Sequence, residues 1–150
     1  MQPISKLPAI QVSYHPTKVS QRKKICSSQC VYDVLMSLWN PDTISLFEEF
    51  MVLYLDRKNG IIGYRLMNRG TTTATVVDTR LIFAIGLSVS ACSIILSHNH
   101  PSGTMKPSSE DLSLTKKLKK AGEVLEINIL DHVIVSEENG YYSFLDEGLL

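Results

Sequence analysis

The sequence predicts one α/β or α+β domain layered around a single sheet, and three observations carry that expectation. The chain has 150 residues, the usual size of one domain able to bury a core without a disulfide or metal staple. Apolar residues make up 44% and charged residues 20%, close to the roughly 45–50% and 25% of ordinary folded proteins. Strand-like segments alternate with helix-like ones along the chain, the pattern of a sheet flanked by helices.

The elements follow in order. A basic segment from Lys18 to Lys24 precedes a helix that Ser27 or Ser28 can cap and that runs through Trp39, where Asn40-Pro41 ends it. Phe47 to Asp56 reads as an apolar strand, Arg57 to Gly60 as a turn, and Ile61 to Asn68 as the antiparallel partner. The threonine- and valine-rich stretch Thr71 to Val77 predicts a third strand. Asp78 then caps a helix carrying Leu81, Ile82, Ile85 and Val89. Ser93 to Ser97 is short and apolar on both faces, as a central strand is. After the loop HNHPSGTMKP a helix starts at Ser108, keeps Leu112, Leu114, Thr115 and Leu118, and is closed by Gly122. Lys116, Lys117, Lys119 and Lys120 are read as complementing the C-terminal end of that helix's dipole. Strands Ile127 to Val135 and Tyr141 to Leu145, joined by a turn at Glu137 to Gly140, complete the set.

Charge and cysteine usage narrow the function classes. Fifteen Lys and Arg balance fifteen Asp and Glu, so the strong positive field of a protein held mainly by phosphate backbones is missing, and weak or no nucleic-acid binding is expected. The basic run before the first helix has no glycine-rich turn or interleaved aromatics and is read as a solvated segment. There is no apolar run near the ~18 residues of a membrane span and no signal-like start, so a cytoplasmic protein without a membrane partner is expected. Cys26, Cys30 and Cys92 are an odd and small set, read as core residues in preference to a Cys26–Cys30 metal pair with His15.

The chemistry concentrates in His98-Asn99-His100-Pro101-Ser102-Gly103 and Pro107-Ser108-Ser109-Glu110-Asp111. Side chains two apart on an extended backbone share a side, so His98 and His100 face one spot while Asn99 faces away. They emerge at the carboxyl end of the apolar strand, where open α/β sheets bind ligands. The short loop carrying Gly103 can bring the next helix's first turn, with Asp111, beside them. Two imidazoles and one carboxylate with a fourth position open is the pattern of a catalytic zinc site. Ser108 and Asp111 also fit a capping box, and the two roles are compatible because a carboxylate has two oxygens. A hydrolytic zinc site further wants a carboxylate to take the proton of the attacking water. Glu48 and Glu49 open the apolar strand, and alternation alone does not say which points inward. His132, mid-strand after Asp131, is read as a structural residue or one supporting the metal ligands.

These residues resemble a known family. His98-x-His100-Pro101, then Ser108-x-x-Asp111, with an upstream Glu on a strand, resembles the JAB/JAMM (MPN+) metalloenzymes. HNHPSG, PSSED, ILDHVIV (Ile129 to Val135) and YYSFLDEG resemble the bacterial RadC-type branch in particular, over about residues 44 to 148. The resemblance implies a cytidine-deaminase-like (JAB1/MPN) αβα sandwich with a mixed sheet over 44–150, preceded by an N-terminal extension with one helix over 1–43. It also implies one zinc held by His98, His100 and Asp111, with Glu48 as acid/base because it stands two places before Phe50, and Ser108 at the oxyanion. The implied activity is hydrolysis of an amide, peptide or isopeptide bond in a peptide or protein substrate. Asn99 stands where the peptidase branch commonly has Ser or Thr. The stretch before residue 44 is also too short for the helix-hairpin-helix region of full-length RadC proteins, so the resemblance carries little DNA binding to this chain. The competing readings are a nucleic-acid-associated, DNA-repair-type protein or nuclease, and a non-catalytic interaction module. The intact Glu48, His98, His100 and Asp111 set argues against the latter.

Overall fold

The computed structural model describes residues 10–70 and 77–150. Helix α1 (Ser28–Leu38) starts where the Ser27 hydroxyl accepts the Cys30 amide, satisfying one of the helix's otherwise unpaired donors. Strand β1 (Glu49–Leu55) is buried along its whole length. It turns through Asp56, whose carboxylate accepts the Lys58 and Gly60 amides at 2.9 Å each, into β2 (Ile61–Arg69). Asp78 caps α2 (Thr79–Ser88) by accepting the Arg80 amide. Then come β3 (Ser93–Asn99), α3 (Ser109–Leu125), β4 (Asn128–Ser136) and β5 (Gly140–Ser143).

The five strands form one mixed sheet in the order β2-β1-β3-β4-β5. Only β3 and β4 are parallel; the other neighbours are antiparallel. A parallel neighbour requires a crossover, which α3 supplies. Strands β1 and β3 are buried on both faces, as their unbroken apolar runs predict. On one face α1 lays Val31, Val34 and Leu35 against Met51, Leu53, Ile95 and Val133. On the other, Ile82 and Phe83 of α2 and Leu118 of α3 join Phe50, Val52, Ile94 and Leu96. The result is the αβα sandwich with a mixed sheet that the sequence predicts.

Several local readings need correction. Strand β1 begins at Glu49, two residues later than predicted, because residues 41–46 coil into turns. Helix α3 does not close at Gly122 but runs three residues further, ending at Glu126 in the left-handed conformation with φ 57°. Gly122 is there for close approach: a Cβ would collide with the Ile127 carbonyl oxygen where the chain folds back into β4. The helix therefore has no basic residue in its last turn, and Lys116, Lys117, Lys119 and Lys120 lie exposed along its middle, where they do not meet the dipole's end. The cysteines are not core residues, for Cys26 is exposed and Cys30 and Cys92 are half-buried. The predicted strand from Thr71 to Val77 lies, but for Val77, outside the described residues. Among the described residues no helix is long and apolar enough to cross a membrane.

Candidate metal centre

The last residues of β3 do what alternation dictates. His98 lies opposite Phe50 of β1, their rings stacked at 6.1 Å, on the face covered by α2 and α3. Asn99 points to the opposite face, and His100 returns to that of His98. Past His100 the chain must turn: Gly103, at φ 74°, donates its amide to the His100 carbonyl oxygen at 2.9 Å, a left-handed position that glycine adopts without strain. Asn139, in the turn between β4 and β5, donates to the Gly103 carbonyl at 2.8 Å and pins this loop to the sheet.

The loop delivers α3 with its first turn facing the histidines. Ser108 is its N-cap and forms a full capping box with Asp111. Asp111 Oδ2 accepts from the Ser108 amide and hydroxyl, both at 2.7 Å, while Oδ1 lies 3.2 Å from His98 Nε2. Oδ2 serves the cap while Oδ1 is turned toward His98, so the capping box does not use up the carboxylate.

His98 Nε2 and His100 Nε2 are 2.9 Å apart, and Asp111 Oδ2 is 3.7 Å from His100 Nε2. With one ligand atom from each residue, the three lie within 4.8 Å of one another, near enough to close on the ~3.3–3.4 Å edge of a tetrahedron with ~2.0–2.1 Å bonds to nitrogen and oxygen. The donor set, two imidazole nitrogens and one carboxylate oxygen, fits zinc. Among the described residues this is the one group of His, Cys, Asp and Glu gathered closely enough to hold a metal ion; Cys26, Cys30 and His15 are not gathered so. Burial disfavours a charged His100, but its bonds to Asp111 and to the Thr104 carbonyl, and the charges of Asp111 and Glu48, outweigh that and hold its pKa above the ordinary histidine value. Burial likewise pushes Asp111 up, and the two histidines pull it far below the usual carboxylate range.

The two glutamates part company. Even-numbered residues of β1 (Phe50, Val52, Tyr54) lie on the α2/α3 face and odd-numbered ones (Met51, Leu53, Leu55) on the α1 face, so alternation carried back one residue sets Glu48 on the face of His98. Its backbone is held by the Gly70 amide at 2.8 Å. Its charge is felt at His100. Glu49 is 3% exposed on the other face, its carboxylate paired with Arg69 Nε at 2.7 Å.

Asn99 explains how this segment is fixed. Its amide oxygen accepts the Glu49 amide at 2.7 Å, and its amide nitrogen donates to the carbonyls of Ile44 and Phe47. The residue between the two histidines thus braces the backbone that carries Glu48. Sequence reasoning missed this role, as it missed Thr104 and Thr115. Thr104 offers its carbonyl to His100 Nδ1. Thr115 reaches His132 Nδ1 at 2.6 Å and lies one turn beyond Asp111, a spacing that could have flagged it. His132 is fully buried, and burial drives its pKa well below the ordinary value; its Nε2 lies 2.8 Å from His98 Nδ1. Asp131 serves the fold, accepting the His132 and Leu145 amides and the Ser143 hydroxyl.

Known proteins share much of this sequence. Residues 25–149 match the family described as RadC-like JAB domain. A UPF0758 protein of Flavobacterium johnsoniae is 43% identical over 127 residues, covering 85% of this chain and 54% of that protein. One of Chlorobaculum tepidum is 48% identical over 103 residues, 69% of this chain and 46% of its own length. One of Methanosarcina acetivorans is 39% identical over 129 residues, 86% and 55% respectively. The chain spans about half the length of these curated relatives, whose names state no activity.

Proposed function

This chain belongs to the RadC-like JAB domain family, and from that premise we propose that it is a zinc-dependent hydrolase cleaving an amide, peptide or isopeptide bond in a peptide or protein substrate. The observation that carries the reading is the convergence of His98 Nε2 and His100 Nε2, 2.9 Å apart, with the Asp111 carboxylate, whose Oδ1 lies 3.2 Å from His98 Nε2 and whose Oδ2 lies 3.7 Å from His100 Nε2. His98, His100 and Asp111 hold the ion. Zinc supplies Lewis-acid chemistry, polarising a carbonyl and lowering the pKa of water to roughly 7.

The chain's own residues do the rest. Glu48, on the histidine face, accepts the proton of the attacking water and hands it to the leaving amine. Ser108 turns its hydroxyl to the developing oxyanion, which requires that the hydroxyl leave Asp111 Oδ2, the acceptor it has here. Phe50 stacks on His98 and fills the space behind it, which keeps water out from that side.

Elemental analysis after equilibration with a weak chelator tests the reading. One zinc per chain is expected, lost in His98→Ala and in Asp111→Ala. Full zinc in either variant removes that residue from the ligand set, and a parent protein that takes up no zinc overturns the proposal.

A further inference from the structure

Behind His98 runs a row of buried polar atoms for which a metal site of three ligands has no direct use. His98 Nδ1 meets His132 Nε2 at 2.8 Å, His132 Nδ1 meets Thr115 Oγ1 at 2.6 Å, and Thr115 Oγ1 meets the Asp111 carbonyl oxygen at 2.7 Å. His98 and His132 are 1% and 0% exposed, and Thr115 3%. The His132 ring is packed between Phe50 and Phe144, and Phe50 also stacks on His98.

The direction of every proton in the row follows from its last member. A backbone carbonyl only accepts, so the single Thr115 hydroxyl proton goes to the Asp111 carbonyl. Thr115 Oγ1 must then accept from His132, which places that ring's proton on Nδ1. His132 Nε2 is left with a lone pair and accepts from His98, whose proton therefore sits on Nδ1. His98 Nε2, the atom 3.2 Å from Asp111 Oδ1, is left bare. His100 reaches the same state by a shorter route, since its Nδ1 faces the Thr104 carbonyl.

From this we propose that His132 and Thr115 are positioning residues for the metal centre: they hold His98 in the tautomer whose Nε2 lone pair faces the ion. The inference rests on the reading of His98, His100 and Asp111 as metal ligands. Without the row, His98 can carry its proton on Nε2 and donate it to Asp111 Oδ1, so that a proton stands where the metal must bind. A buried imidazole that merely filled space between two phenylalanines would need neither ring nitrogen in line. Here both nitrogens of His132 are in hydrogen-bond contact, and the anchor is the backbone of the same first helical turn that presents Asp111. The row thus closes a loop from one ligand, through the interior, to the helix carrying another.

Two measurements on the full chain test it. In metal-free, ¹⁵N-labelled protein held about two pH units above the ordinary imidazole value of ~6.5, long-range ¹H–¹⁵N spectra read which ring nitrogen bears the proton. His98 and His132 are expected as Nδ1–H in the parent, with His98 shifting toward Nε2–H in His132→Leu. Zinc affinity, read by competition with a chromophoric chelator, is expected to fall ~10–100-fold in His132→Leu and in the same direction in Thr115→Val. In His132→Gln the amide can accept from His98 and donate to Thr115, so affinity is expected to return near that of the parent. Thermal melts of the metal-free variants separate this from loss of fold, and if His132→Leu does not fold, Thr115→Val and His132→Gln carry the test. An Nε2–H tautomer for His98 in the parent, or undiminished zinc affinity in folded His132→Leu and Thr115→Val, overturns the proposal. A parent that binds no zinc yet shows Nδ1–H on His98 overturns the metal reading while upholding the tautomer assignment.

Discussion

Glu48, just before β1, and Glu49, its first residue, are adjacent carboxylates that alternation sets on opposite sides, and exchanging each for glutamine should produce opposite phenotypes. In Glu48→Gln the side chain keeps its shape while its capacity to take a proton is lost. General-base catalysis contributes roughly 10²–10⁴-fold, so turnover should fall by that factor, equal to about 2.7–5.4 kcal/mol at the barrier, with zinc content and melting temperature near those of the parent. In Glu49→Gln the loss is structural. A carboxylate 4% exposed accepts from Arg69 Nε at 2.7 Å, and Arg69 is itself 49% exposed. A hydrogen bond to a charged group contributes ~1.5–3 kcal/mol, and solvent screening of the half-exposed arginine brings this to about 1–2 kcal/mol. For a chain of this size that corresponds to a fall of roughly 2–8 °C in melting temperature. Below that transition, turnover should be unchanged. The assays are a thermal melt and, with zinc saturating, hydrolysis of an amide substrate found by screening peptides and isopeptides. Parent-level turnover in Glu48→Gln, or a hundredfold loss in a folded Glu49→Gln, would refute the assignment of faces.

Asn99→Ala removes three hydrogen bonds to residues 44–49, two of them buried and one partly so; at ~1 kcal/mol each the expected loss of about 3 kcal/mol lowers the melting temperature by roughly 6–12 °C, and a parent-like melt would show that the segment is held by something else. Burial pushes the Asp56 carboxyl up, but the Arg22 guanidinium at 2.9 Å and the Gly60 and Lys58 amides outweigh it and set its pKa below the ordinary value. A lowered carboxylate pKa gives stability that is complete above the unfolded value of ~3.9 and disappears as pH falls through the folded one. Urea midpoints of the parent should therefore exceed those of Arg22→Gln at neutral pH and converge with them in acid; a gap that persists or widens in acid contradicts the pairing. With fifteen positive and fifteen negative side chains, titrations of a short DNA duplex should show weak binding with a shallow salt dependence, and tight, sequence-selective binding at physiological salt would favour the nucleic-acid reading instead.

Most of the sheet was legible because its signals are local. Period-two burial, the Asp56 turn and the serine and aspartate caps act within a few residues of themselves, and β1, β2, β3 and the helix starts follow from them. His98 and His100 were legible for the same reason, as two positions of one strand end, and Asp111 because a capping box has a fixed spacing. The pairing of His132 with His98 depends on β3–β4 register, in which Leu96 rather than His98 stands opposite His132, and on α3 crossing above both; no local pattern encodes that. Gly122 read as a helix stop because glycine often is one, whereas here the nearness of Ile127 sets the requirement. Asn99 gave no signal, since its partners lie fifty or more residues earlier in the chain.

The division of labour across His98, Asn99 and His100 makes strand pairing a checkpoint on chemistry. Slipping β3 by one residue against its neighbours would exchange the two faces. Both imidazoles would then turn toward α1, Asn99 would confront Asp111, and the backbone before β1 would lose its three-point clasp. Such a chain would forfeit the ion cradle and the glutamate's footing in the same event. On the proposed reading, such a molecule would lose the ion's ligands and the base together and would be silent rather than a loose, unselective hydrolase.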